Sequence, residues 1–142
     1  MKHKQLMVYQ RALVLVQEIR KTTRNVDMDF STLDQITRSS LSITANIAEG
    51  AGRKSVKERC HFYGIASASA AETYSHFEVI APERRVDPLK LQAWSRELED
   101  IVRMLDGVIR FNMRTLAPDG TSPRQTIPLP PPQKTATTES ID

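Results

Sequence analysis

Cysteine is almost missing from this sequence: Cys60 is the only one in 142 residues. An internal disulfide is therefore excluded, and no cysteine spacing suits zinc. A lone thiol fits a reducing compartment, so the expected location is cytoplasmic. Long apolar runs are missing too. No stretch of about 18 apolar residues occurs, so no membrane-spanning segment is expected. The N-terminus has basic residues but no apolar signal core. There is no Gly-x-Gly-x-x-Gly, no phosphate-binding Walker loop and no alternating strand pattern. Proline is scarce until the end: six of the eight, Pro118, Pro123, Pro128, Pro130, Pro131 and Pro132, fall in the last 25 residues. Residues 1–116 are thus read as one folded domain, and 117–142 as a disordered, Pro/Thr/Ser-rich tail.

What remains is helical periodicity. Helix 1 is predicted over residues 5–22, with Leu6, Tyr9, Leu13 and Val16 as its stripe and Ala12 and Ile19 beside it. Val8 and Leu15 fall beyond that stripe. The apolar arc is wider than one core contact needs, so Leu15 is expected to face a neighbouring subunit. Helix 2 is predicted over 31–49, with Ser31 as N-cap and Asp34 completing a weak capping box. Its seam is Leu33, Ile36, Ser40, Ile43 and Ile47, and Gly50 and Gly52 supply the corner that ends it. Ser55-Val56-Lys57-Glu58 is a capping box opening helix 3, predicted over 55–80 with a stripe of Phe62, Ile65, Ala66, Ser69, Thr73, Phe77 and Ile80. Asp87-Pro88 opens helix 4, predicted over 88–116, where Leu91, Trp94, Leu98, Ile101, Leu105 and Val108 repeat at 3-4-3-4-3. Small residues on helices 2 and 3 favour close antiparallel packing. The expected fold is an all-α, up-down-up-down antiparallel four-helix bundle.

Chemistry is harder to find. Glu58 and His61 have a metal-ligand spacing, but a di-iron bundle needs a second such pair, and Glu72 and His76 are at i, i+4 instead. No acid, base and nucleophile converge, so no catalytic residue, metal or cofactor is expected. Asn46, Glu49 and Arg53 form a polar group beside Gly50. Either Glu49 pairs with Arg53 while Asn46 satisfies the loop backbone, with Glu72 joining, or the group meets a partner.

Charge is uneven. Residues 1–25 carry six basic residues against Glu18 alone, whereas residues 61–100 carry four basic against seven acidic. A polyanion partner, a second copy of the chain or plain solvated helix faces all fit this pattern. The candidate phosphate-contacting residues are Lys2, Lys4, Arg11, Arg20, Lys21, Arg24, Arg38, Arg53 and Lys54. No aromatic residue is interleaved with them, which disfavours base stacking.

The run Gln35-Ile36-Thr37-Arg38-Ser39-Ser40-Leu41-Ser42-Ile43-Thr44-Ala45-Asn46-Ile47-Ala48-Glu49-Gly50 resembles the central motif of the bundle family named after the intervening sequence of bacterial 23S ribosomal RNA genes. Ile65-Ala66-Ser67-Ala68-Ser69-Ala70-Ala71-Glu72 looks like that family's second motif, and Val8-Tyr9-Gln10-Arg11-Ala12 also fits. Thr44 stands where the family typically carries proline. The resemblance spans roughly residues 5–115. It implies a four-helix bundle assembling into a ring, a homopentamer. Through the related accessory variability determinant of diversity-generating retroelements, it also implies association with nucleic acid and with a reverse transcriptase. The expected function is a non-enzymatic, ring-forming RNA- or DNA-binding protein; the alternative is an adaptor for a protein such as a reverse transcriptase.

Overall fold

The computed structural model describes residues 1–116, so the expected tail, 117–142, lies outside the described residues. A short 3-10 turn, Lys2–Gln5, leads into four helices: α1 (Met7–Thr23), α2 (Phe30–Gly52), α3 (Val56–Ile80) and α4 (Pro88–Met113). Each helix packs on the next and α4 closes back on α1, which makes the up-down-up-down bundle expected from the apolar periodicity. No strand occurs among the described residues.

The core is one cluster. Ile36, Ile43 and Ile47 of α2, Ala66, Ala70 and Phe77 of α3, and Leu98, Ile101 and Leu105 of α4 are fully or almost fully buried. Each such large side chain contributes about 1.5–3 kcal/mol relative to exposure. The Phe77 and Trp94 rings lie 5.6 Å apart, and Trp94 Nε1 donates to Glu18 Oε2 of α1 at 3.1 Å, so the indole buries its body and satisfies its one donor.

The α2–α3 contact is the most extensive in the bundle, and it is lined by hydroxyls as well as methyls. Thr73 Oγ1 lies 2.9 Å from Ser39 Oγ and 2.8 Å from the Ser69 carbonyl. Ser42 Oγ and Ser69 Oγ are 2.8 Å apart. Small side chains let the two backbones approach, and their hydroxyls find partners across the contact or one turn back, so little is left unpaired in the interior.

Four expectations are corrected. The N-cap of α2 is Asp29, whose carboxylate accepts from Thr32 N at 2.9 Å, not Ser31; the carboxylate is the stronger acceptor for the free amides of a first turn, so the helix begins at Phe30. Gly50 and Gly52 do not stop α2 but lie in its last turn. Tyr63, 2% exposed, takes the buried place on α3 expected for Phe62, which is half-buried and carries the Arg53 guanidinium 4.9 Å above its ring. Most consequential, Val8 and Leu15 are 2% and 3% exposed, inside the subunit's own core. The wide apolar arc of α1 is used by two neighbours in the same bundle, α2 and α4, so Leu15 does not face another subunit. Helix 2 runs unbroken through Thr44, whose Oγ1 donates back to the Leu41 carbonyl at 3.0 Å.

Candidate nucleic-acid interface

Antiparallel helices bring distant parts of the chain to two ends of the bundle. One end gathers the α1–α2 and α3–α4 connections, where Arg85 Nη1 donates to the Asp27 carbonyl at 2.7 Å and its carboxylate at 3.1 Å. The other end gathers the start of the chain, the α2–α3 corner and the end of α4, joined by Arg59 Nη1 donating to Asn112 Oδ1 at 3.0 Å. The ends are separated by about 25 Å, the rise of a 17-residue helix such as α1.

The nine candidate basic residues therefore do not form one patch. Arg20, Lys21 and Arg24 sit at the end of α1 nearest the α1–α2 connection; Arg20 and Arg24 border a small notch with Leu33 and Thr37 of α2, and Lys21 borders a different groove with Lys90. Arg38, largely exposed, pairs with Asp34 one turn away at 2.9 Å. Lys2, Lys4, Arg53 and Lys54 belong to the opposite end. Arg11 lies between the ends. Its guanidinium grips Glu97 of α4 through Nε–Oε1 at 2.7 Å and Nη2–Oε2 at 2.6 Å, and also reaches Asp100 at 3.1 Å. These hydrogen bonds, Glu97 first, raise its already high pKa further. Its charge is matched within the subunit.

The end containing the α2–α3 corner is the more basic. Segments 1–7, 49–59 and 106–116 contribute Lys2, Lys4, Arg53, Lys54, Lys57, Arg59, Arg110 and Arg114 against Glu49, Glu58 and Asp106. Segments 20–33 and 80–90 at the other end hold six basic and four acidic residues. Among the described residues Lys2, Lys54, Lys57, Arg59, Arg110 and Arg114 form no ion pair, whereas Arg53 pairs with Glu49. Lys57 and Arg59 on α3 and Arg110 and Arg114 at the end of α4 are about fifty residues apart in the chain, so no local run of charge joins them. The up-down order of the helices was the signal that could have joined them.

The polar group beside Gly50 assembles in part. Glu49 and Arg53 pair across one helical turn. Asn46 does not serve the loop; its Nδ2 donates to the Ser42 carbonyl at 2.8 Å and lies 3.0 Å from Ser42 Oγ, joining the α2–α3 hydroxyl seam. Glu72 is exposed and lies 3.6 Å from His76 on its own helix, apart from the group. Gly50 is pressed against α3, which explains its place in the motif. Cys60 is half-buried against the Ile109 carbonyl, and burial pushes its thiol pKa up, away from a reactive thiolate. No described helix is long and apolar enough to cross a membrane.

The model of the 23S rRNA-intervening sequence protein family matches residues 4–107. The chain belongs to this family. The match takes in the basic start of the chain, the α2–α3 corner and most of α4. A solved relative in fold is a protein of unknown function from the S23 ribosomal protein family of Bacteroides thetaiotaomicron, 24% identical, with a TM-score of 0.68, covering 73% of this chain and 99% of its own. At that identity the likeness speaks for the shared bundle. No curated protein matches the chain. The link to retroelement accessory proteins therefore remains an implication of the resemblance, whereas family membership and the four-helix architecture are established.

Proposed function

We propose that this family member is a non-enzymatic protein that binds structured RNA or DNA through phosphate contacts, and that it does so as a homo-oligomeric ring. One observation carries the binding reading: separate segments of chain converge to place at one end of the bundle six basic side chains that have no ion-pair partner among the described residues. Lysines and arginines without an acidic partner can replace counterions on a phosphate backbone, and about six such contacts give strong, salt-dependent binding. With no aromatic platform among them, the contacts position the protein and do not read bases. Lys54 and Lys2 keep their expected role, Lys57, Arg59, Arg110 and Arg114 join them, and Arg11 is set aside because Glu97 and Asp100 hold it.

The ring is what the resemblance implies. With Leu15 buried, its support in this chain is the exposed face of α1 at Val14, which is 58% exposed. In a ring each subunit repeats the charged end, which raises avidity without new contacts.

The test is binding of the full chain to a structured RNA and to a DNA duplex at about 50 mM salt and upward, with light scattering on the same sample. The reading expects affinity to fall linearly in log–log form with salt, and a mass above that of the 16.1 kDa chain. Absence of binding at low salt transfers the exposed apolar rim of Met7, Phe111 and Met113 to the second reading, an adaptor surface for a protein such as a reverse transcriptase.

A further inference from the structure

The basic end also contains a cleft of about 560 Å³, within the usual range for small-molecule sites. Its walls are mostly apolar: Leu6, Met7 and Val8 from the start of α1, and Met104, Val108 and Phe111 from α4. Among the described residues, no acidic side chain lines it. Three of its polar groups have unused capacity or charge. Arg59 donates Nη1 to Asn112 Oδ1 at 3.0 Å and Nη2 to the Lys54 carbonyl at 3.2 Å, both neutral acceptors, while its Nε is shielded from solvent and has no partner among the described residues. Tyr63 is 2% exposed, yet its hydroxyl makes no hydrogen bond among the described residues. That hydroxyl is not sealed from solvent, and Tyr63 is among the residues lining the cleft. Lys2 completes the basic side of the lining.

A guanidinium at an apolar wall is costly unless an anion answers it, and a buried tyrosine hydroxyl normally finds a partner. Asn112 is 8% exposed, and its Nδ2 is itself anchored on the Val108 carbonyl at 2.8 Å, so Arg59 is held in place by a fixed neighbour. The cleft thus offers an apolar body and a preset cationic head with a hydroxyl donor nearby.

We propose that this cleft is a binding site for a small monoanion with an extended apolar tail, a fatty-acid-type carboxylate. The carboxylate accepts from the Nη hydrogens of Arg59 that Asn112 and the Lys54 carbonyl leave free and from Tyr63, the shielded Nε taking no part, and the tail lies along Leu6, Val8, Met104 and Val108. This does not rest on nucleic-acid binding, and it survives or fails without it.

The full chain labelled at its methionine methyl groups supplies the test, because Met7 and Met104 line the cleft while Met28 packs on the core at the other end. Titration with decanoate is expected to move the Met7 and Met104 signals saturably below its micelle-forming concentration and to leave Met28 unchanged. Decanol, with the same tail and no charge, should bind at least about tenfold more weakly, the factor expected from one charge-assisted hydrogen bond. Arg59→Gln should weaken decanoate by about the same factor and leave decanol as it was; Tyr63→Phe should weaken decanoate by about three- to tenfold. If either variant fails to fold, the decanoate-to-decanol comparison on the parent chain decides by itself. Equal affinity for the two ligands, equal shifts at Met28, or no shift at all overturns the proposal. So do Met7 and Met104 signals that respond to protein dilution and not to decanoate, which identifies the cleft as a contact between copies of the chain.

Discussion

A β-carbon at position 50 would lie 2.8 Å from Tyr63 Cε1 and 3.0 Å from the Arg59 carbonyl oxygen. Gly50 of α2 and Tyr63 of α3 thus pack so closely that a side chain at 50 has no room, and it is space, not backbone freedom, that the glycine supplies. Gly50→Ala adds helix propensity of about 1 kcal/mol but forces a backbone carbonyl and a packed ring to move, at about 1–3 kcal/mol. A net loss is expected, read as a lower urea midpoint. A β-carbon at Gly64 on α3 would meet nothing within 4 Å, so Gly64→Ala should raise stability by about 0.5–1 kcal/mol, read as a higher midpoint.

Leu15 and Val14 are neighbours with opposite expectations. Leu15→Glu puts an unpaired carboxylate into the core and should cost more than about 4 kcal/mol, seen as loss of cooperative melting by circular dichroism. Val14→Glu, at a position 58% exposed, should melt within about 0.5 kcal/mol of the parent. A fall in mass by light scattering for Val14→Glu alone would place the subunit contact on that face of α1.

Arg103 first, and then Arg11, hydrogen-bond the Asp100 carboxylate and hold its pKa below the ordinary 3.8. A depressed folded pKa contributes stability that is present above the unfolded value and is lost as pH falls through the folded value. Asp100→Asn should therefore be less stable than the parent at neutral pH. The gap should close as pH drops below about 3.8. Urea midpoints of both proteins across pH 2–7, an acid-to-neutral range chosen to span the carboxylate transition, check this. A gap independent of pH would mean that Asp100 acts by packing.

The two bundle ends make different predictions for nucleic acid. Lys54→Gln, Lys57→Gln and Arg114→Gln together should reduce the slope of log affinity against log salt by about 2–3, since each lost phosphate contact removes about 0.9 on duplex DNA. Arg20→Gln, Lys21→Gln and Arg24→Gln together should change it less, because that end is nearer to charge balance. The reverse ranking would return the contact surface to the end of α1.

The order and approximate extent of the four helices were legible in the chain because apolar spacing and caps are local properties. Leu91 to Leu105 needed only a 3-4 repeat, and the Ser55 and Asp87 caps act within their own first turn. The central motif likewise carried family membership in consecutive residues. What the chain could not show was which side of a wide apolar arc meets which neighbour. A stripe wide enough for two contacts reads the same whether the second neighbour is in the same subunit or another, and the packing of α1 against both α2 and α4 places Leu15 inside. Tyr63 over Phe62 was settled by the space that Gly50 leaves. The basic end and its cleft are tertiary as well. Lys2, Arg59 and Asn112 are separated by more than fifty residues at each step; the helix order was legible, but which side chains of the paired ends meet depends on how the helices are rotated and staggered against one another, which no local pattern encodes.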